Sequence, residues 1–328
     1  MESSGNQSAN QSFAEVEAGK IILRTPFSNL LLCKRIPGAW WDASRKTWTY
    51  PATPQHAALV WATIPRLSAS ERFAALVTTR PTPGPASLPA GLKTRPWRHQ
   101  IAAQQFAMER FHQGLHGVML AMGMGTGKTL VACMILLGLR AMRVLIVAPL
   151  RVVQVWIAQF QRHLSTPMVV VALDEDAGSV TDKQRLAEEK LRLAETTGVP
   201  FVAVINYDSV WREPFGTWAE QQAWDLVVAD ESHKLKRPGG KASLYFKRLR
   251  GRARHRLALT GTPLPHSPLD AYAQFRFLDH TIFGPSFNAF EQKYAVMGGF
   301  QNKQVTAYKN LDELEALMRR VTFRVAKD

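Results

Sequence analysis

From residue 96 onward, short apolar runs alternate with stretches of helical period, and the alternation predicts most of the fold. Residues 117–121, 144–148, 169–172, 201–205, 226–229 and 256–259 are nearly continuous apolar segments, too short for buried helices, and read as strands. Between them, residues 99–111, 128–140, 152–163 and 183–196 carry apolar positions three and four apart and read as helices, the last charged and surface-type. Strands that are apolar on both faces and separated by helices belong in a parallel sheet covered on both sides. The expected class is therefore α/β with a mostly parallel sheet.

Residues 13–66 follow another pattern and predict a small α+β module of order βαββα. A strand at 21–23, a short helix at 27–34, a hairpin of 40–42 with 47–50 about Ser44, Arg45 and Lys46, and a closing helix at 54–64 make it up. Thr53 is placed to cap that helix, with Pro54 in its first turn. Residues 67–95 hold Pro81, Pro83, Pro85 and Pro89 with Gly84 and Gly91; proline removes amide donors, so the stretch reads as a linker. Residues 1–12 are polar and read as a disordered tail, lacking the basic flank and apolar core of a signal peptide.

Charge narrows the partners. The chain has 328 residues and a net charge of +15, a surplus that favours a polyanion through phosphate neutralisation. An inert basic surface is the alternative. Cys33 and Cys133 form no metal-ligand pattern and are expected as free thiols in a reducing compartment, and no apolar run is long enough to cross a bilayer.

Three loops after predicted strands carry chemistry. Gly123-Met124-Gly125-Thr126-Gly127-Lys128-Thr129 joins a strand to a helix. Glycines let the backbone wrap a polyphosphate, Lys128 would reach the β- and γ-phosphates, and Thr129 would bind Mg²⁺. Asp230-Glu231-Ser232-His233 follows the strand at 226–229 at the carboxyl edge of the sheet. Asp230 would orient Mg²⁺ and Glu231 would polarise the attacking water; alone, an acidic pair here is also an ordinary solvated loop. Thr260-Gly261-Thr262-Pro263 ends another strand, where Thr260 and Thr262 offer hydroxyls to the acidic loop and Gly261 lets the backbones approach.

In this order, with Val147-Ala148-Pro149-Leu150 between the first two, these segments resemble motifs I, Ia, II and III of superfamily 2 helicases, most closely the SNF2-like branch. The usual first glycine of the phosphate loop is replaced by Met122, which is also common in that branch. The resemblance implies a RecA-like P-loop NTPase domain over 96–328, using ATP and Mg²⁺ and acting on duplex or forked DNA. It makes His233 a link between the γ-phosphate site and motif III. It makes Gln100 the reader of the adenine edge, a surface glutamine being the alternative. Pro149, Leu150, Arg151, Asn206 and Tyr207 take the positions of backbone contacts to DNA, and Lys234 and Lys236 continue the branch's pattern. The basic run Lys247, Arg248, Arg250, Arg252, Arg254 and Arg256 is either a solvated helix end or a further phosphate contact.

A weaker resemblance ties Ile36 to Trp41 and Lys46 to Pro51 to the HARP-type module of SNF2-like annealing helicases. Trp40, Trp41, Trp48 and Tyr50 would then stack bases beside Lys34, Arg35, Arg45 and Lys46, or else simply form a core. Superfamily 2 motors work in a cleft between two RecA-like domains. No second set of motifs follows Thr262, so the other domain is expected in a separate polypeptide or a missing C-terminal part. The expected setting is bacterial or phage-type cytoplasm, or the nucleus in a eukaryote. Two other functions stay open: a DNA-binding subunit using ATP as a switch, and a P-loop ATPase acting on protein.

Overall fold

The computed structural model describes residues 12–36, 38–65, 67–78, 88–265, 267–302 and 304–325. Its contacts divide the chain into two units, Met1–Ser87 and Leu88–Asp328. The smaller unit begins with β1 (Ser12–Glu17) and β2 (Lys20–Arg24), an antiparallel pair closed by Ala18 and Gly19, both at positive φ, as a tight hairpin turn requires. α1 (Leu30–Arg35), β3 (Trp40–Asp42), β4 (Thr47–Pro51) and α2 (Pro54–Thr63) follow where expected, and the Thr53 hydroxyl caps α2 by accepting the His56 amide at 3.2 Å. Then come β5 (Leu67–Ala69) and α3 (Glu71–Thr78), giving a five-stranded sheet of order β3-β4-β2-β1-β5.

Three expectations change here. β1 was not foreseen, because its outward Glu15 and Glu17 dilute the apolar signal; they pair instead with Arg24 at 3.2 Å and Arg45 at 2.8 Å. Residues 67–78, read as linker, form β5 and α3, since β5 pairs in parallel with β1 and α3 buries Phe73 completely. Ser12, assigned to the tail, begins β1; residues 1–11 of that tail and the proline-rich 79–87 lie outside the described residues.

The larger unit runs through α4 (Arg98–His112), β6 (Gly117–Met122), α5 (Lys128–Leu139), β7 (Arg143–Ala148), α6 (Val153–His163), β8 (Val169–Leu173), α7 (Val180–Thr197) and β9 (Phe201–Asn206). It continues with α8 (Phe215–Gln221), β10 (Trp224–Asp230), α9 (Lys241–Leu249), β11 (Ala253–Thr260), α10 (Ala271–Leu278), α11 (Phe287–Tyr294), β12 (Ala295–Gly298), β13 (Gln304–Tyr308), α12 (Leu311–Arg319) and β14 (Thr322–Val325). Seven strands, all parallel, lie in the order β14-β6-β11-β10-β7-β9-β8, and β12 and β13 form a separate antiparallel ribbon.

Alternation along each strand sends side chains to two cores. Val144, Ile146 and Ala148 of β7 pack with α4, α5 and α6; Leu145 and Val147 face the core built by α7 through α12. This doubly wound α/β arrangement is the RecA-like class expected. It delivers the loops after β6, β7, β9, β10 and β11 to one edge of the sheet, where ligands of open α/β folds bind.

Candidate active site

The phosphate loop spans the gap between β6 and α5. Gly125 and Gly127 sit at φ 81° and 82°, a conformation strained for any side chain. A Cβ on Gly127 would also run into Gln100 Nε2, which would have to move and give up its bond to the Thr126 carbonyl. Gly127 starts α5 with no side-chain cap, leaving the first-turn amides for an anion. Thr126 is buried and donates to the Gly123 carbonyl at 2.7 Å, while Lys128 Nζ donates to the Met122 carbonyl at 3.0 Å and reaches Gly123 at 3.5 Å. Thr129 is half-buried one residue further along, and Met124 projects into solvent at 85% exposure.

Gln100 lies beside the phosphate loop. It is buried: Nε2 donates to the Thr126 carbonyl at 3.0 Å and Oε1 accepts the Trp97 amide at 2.8 Å. His99 Nε2 reaches the same Thr126 carbonyl at 2.9 Å. Both side chains brace the phosphate loop against the start of α4, and the exposed Trp97 ring beside His99 is the flat apolar surface at this edge.

β10 ends in Asp230, whose carboxylate is almost fully buried. Its Oδ2 accepts the Trp156 indole N–H at 2.9 Å and its Oδ1 accepts the Glu231 amide at 2.9 Å. Burial pushes this carboxyl above its ordinary range, opposed by the Trp156 bond and by nearby Lys128. Glu231 holds a left-handed backbone, φ 50° and ψ 53°, strain of the kind that gathers at functional sites. His233 Nδ1 lies 3.3 Å from both Glu231 Oε2 and Thr260 Oγ1, so an Nδ1–H between them serves both. Thr260 Oγ1 in turn accepts the Thr262 amide at 3.0 Å. The acidic loop and the Thr260 loop are thus joined through side chains. Gly261 needs a smaller explanation than close approach: an added Cβ would find its neighbours at 3.6–3.9 Å, ordinary contact.

Oxygen donors here are few. Among the described residues no cluster of three or more His, Cys, Asp or Glu converges; the acidic loop contributes the Asp230 and Glu231 carboxylates and the phosphate loop the Thr129 hydroxyl. A hard cation held mainly by phosphate oxygens and water fits that sparse set.

The residues expected to touch DNA divide. Arg151 and Lys234 are exposed, and Pro149, Leu150 and Lys236 are half-buried. Asn206 and Tyr207 are buried at 6% and 5% exposure, so their side chains present little surface to a partner. The chain turns back after β9, with the amides of Ser209 and Val210 on the Asn206 carbonyl, and the Tyr207 hydroxyl donates to the Asp230 carbonyl at 2.8 Å. Two of the six residues of the basic run are likewise structural. Arg256 is buried, donates to the carbonyls of Leu278, Arg250 and Ala253, and is lowered to about 10 by burial; Arg250 donates to the Arg276 carbonyl and Arg248 pairs with Glu220. Lys247, Arg248, Arg252 and Arg254 are exposed. In the smaller unit Trp48 and Tyr50 are core residues, the latter donating to the Cys33 carbonyl, whereas Trp40 and Trp41 are 70% and 46% exposed.

Trp156 and Gln274 are contacts to this site that pattern reading missed, and Tyr207, singled out for DNA, touches it through the Asp230 carbonyl. Gln274 alone left a signal, a lone amide beside Phe275, Phe277 and Leu278 in a helix buried on every side.

Comparison with known proteins agrees with this geometry. The family described as SNF2-related domain matches residues 99–328. A probable chromatin-remodeling complex ATPase chain of Oryza sativa subsp. japonica is 26% identical over 247 residues, 74% of this chain and 21% of that protein. The DNA excision repair protein ERCC-6-like of Homo sapiens is 24% identical over 202 residues, 60% of this chain and 16% of that one. This chain thus spans about a fifth or less of the length of these two relatives. Among solved structures, the Sulfolobus solfataricus SWI2/SNF2 ATPase core in complex with dsDNA shares the fold at a TM-score of 0.57 and 23% identity, over 73% of this chain and 46% of that one. With a phosphate loop, an acidic loop and a threonine loop meeting at one edge of a RecA-like sheet, and the family matched over most of its length, the chain belongs to the SNF2-related domain family of superfamily 2.

Proposed function

We propose that this chain is the nucleotide-binding half of a DNA-directed ATPase motor. The observation that carries the reading is the bridge from Glu231 through His233 to Thr260, beside a phosphate loop on the same sheet edge. In this reading the first-turn amides of α5 and the Lys128 ammonium bind the β- and γ-phosphates. Glu231 accepts a proton from the water that attacks the γ-phosphate, giving ADP and phosphate. Thr129 and Asp230 would hold Mg²⁺, which supplies charge neutralisation across the phosphates. Gln100 acts by holding the Thr126 end of the loop, and through it the wall of the adenine site. His233 and Thr260 carry the state of the γ-phosphate toward Thr262 and the DNA.

Arg151 and Lys234 are the exposed cations that support backbone contacts to duplex DNA, which position the strand without reading sequence. Exposed Trp40 and Trp41 support a role for the smaller unit in binding the unstacked bases of a fork. The relatives, named for chromatin remodelling and excision repair, favour DNA over protein as the track. The expected setting is the nucleus or a bacterial cytoplasm; among the described residues no helix is long and apolar enough to cross a membrane.

Full turnover in this reading needs a second RecA-like domain, which supplies an arginine to the transferred phosphoryl group worth about 10³–10⁵ in rate. The test is ATP hydrolysis by the 328-residue chain, with and without forked duplex DNA, and again with a second SNF2-type core domain added. Binding of ATP-Mg²⁺ with slow turnover alone, and DNA-stimulated turnover once completed, is the expected result. Turnover that DNA never alters would overturn the motor reading and favour the nucleotide switch.

A further inference from the structure

α10 reaches both loops from behind. All eight of its residues are buried, yet two are polar: Gln274, with no exposed surface, and Arg276 at 9%. Gln274 Oε1 accepts the Ser232 hydroxyl at 2.8 Å; its Nε2 donates to the Pro263 carbonyl at 2.7 Å and to the Asp270 carbonyl at 3.1 Å. Both amide hydrogens are therefore used. Ser232, itself fully buried, lies between Glu231, with its left-handed backbone, and His233. Arg276 donates to the Pro238 carbonyl at 2.8 Å. One helix thus holds the segment from Ser232 to Pro238 at both ends, with Lys234 and Lys236 between, and holds the Thr260 loop at Pro263.

We propose that Gln274 is a positioning residue that couples the nucleotide loop to the DNA-facing loops, in parallel with His233 and Thr260. The inference rests on the ATPase reading. The two links differ physically. His233 and Thr260 meet at 3.3 Å in a partly exposed setting, where water can replace either partner. The Ser232–Gln274 bond is short and fully buried, where it cannot be exchanged for solvent and is stronger for the low local dielectric, and only the Pro263 end of the path is part-buried. A displacement of Ser232 must then move Pro263 or break a buried bond. Glu231 and Thr262 shift together through it.

The experiment measures coupling rather than stability. Affinity of the 328-residue chain for a labelled DNA duplex is determined with and without adenylyl imidodiphosphate and Mg²⁺, in wild type, Gln274→Leu, Ser232→Ala and the double variant. The nucleotide should change DNA affinity about 5–150-fold in wild type, and within about twofold of unity in Gln274→Leu and Ser232→Ala, with the affinity for each ligand alone retained. The double variant removes the hydroxyl that Gln274→Leu would leave unpaired, and so recovers part of the lost stability without the bond, while the Pro263 and Asp270 carbonyls still lose their donor. Coupling that stays lost in the double variant, measured well below its melting midpoint and with its stability raised over that of Gln274→Leu, supports the proposal. Coupling that returns with stability overturns it, as does an unchanged ratio in either single variant or a wild-type ratio of one with nucleotide bound. A wild-type chain that binds no adenylyl imidodiphosphate overturns the ATPase reading itself, and the coupling with it.

Discussion

The indole N–H of Trp156 donates to Oδ2 of Asp230 across 2.9 Å, joining the middle of α6 to the end of β10. It is a charge-assisted bond to a carboxylate that burial already disfavours in its charged form. Because the carboxyl is raised in the folded state, it costs stability above its folded value, and the indole reduces that cost. Trp156→Phe should raise the carboxyl further and lower the unfolding free energy at neutral pH by about 1.5–3 kcal/mol, read by urea titration. Nucleotide binding should then fail at a higher pH than in wild type as the buffer is acidified. Unchanged stability and pH profile would mean the bond is incidental.

Lys128→Ala and Glu231→Gln should separate binding from chemistry. Removing the ammonium should abolish detectable ATP-Mg²⁺ binding, with the fold intact because Nζ bonds only to loop carbonyls. The amide variant should bind ATP as wild type does, with turnover in the completed motor reduced about 10²–10⁴-fold. Calorimetry and phosphate release check the pair. Equal loss of binding in both variants would contradict these roles.

Tyr207→Phe and Arg151→Ala should behave oppositely. The first removes the hydroxyl that donates to the Asp230 carbonyl and should lower stability by about 0.5–1.5 kcal/mol while leaving DNA affinity alone. The second should leave stability alone, weaken DNA binding, and reduce the slope of log affinity against log salt by about 1. Binding isotherms over a range of KCl distinguish them. A changed salt slope in Tyr207→Phe would restore that residue to the DNA surface.

Acid should destabilise the larger unit through His255. Burial, with Arg254 adding to it, lowers this imidazole to about 4, and its Nδ1 is buried without a partner. An unfolded histidine titrates near 6.5, so the unfolded chain takes up the proton first. Stability from this group is therefore present above about 6.5 and declines as pH falls toward about 4. His163, also lowered by burial, acts in the same direction. His255→Gln should flatten the fall in urea midpoint over that window. An equal fall in the variant would assign the acid sensitivity elsewhere.

The aromatics of the smaller unit should part by burial. Trp48→Ala opens a cavity in its core and should cost about 3–5 kcal/mol, whereas Trp40→Ala, exposed, should stay within about 0.5 kcal/mol. Trp40→Ala should instead reduce preference for forked over linear duplex in competition binding, by up to the stacking value of about 1–3 kcal/mol per base. An unaltered preference would leave that surface without a role in fork recognition.

Much of the site is legible in the chain because it is local. Glycines at 125 and 127 are demanded by backbone conformation within the loop itself, and Asp230 and Thr260 stand at strand ends that a run of apolar residues locates. Period-two and helical patterns likewise predict the parallel sheet and its two covering layers, since each element advertises which faces it buries. β1 and residues 67–78 escaped because their evidence is pairing, not pattern: β5 is a strand only beside β1.

What the order of residues determined alone is the chemistry on offer: a phosphate loop, an acidic loop and a threonine loop at successive strand ends, on a basic chain. Which polar groups face solvent was decided by the tertiary structure. Asn206 and Arg256 look like surface residues in the chain and are buried, and Gln100 braces the phosphate loop through a bond the chain alone does not show. The reason is that a polar side chain is placed by whatever donor or acceptor it finds, and for Trp156, Tyr207 and Gln274 those partners lie 74, 23 and 42 residues away, at a sheet edge that exists only once the strands have assembled.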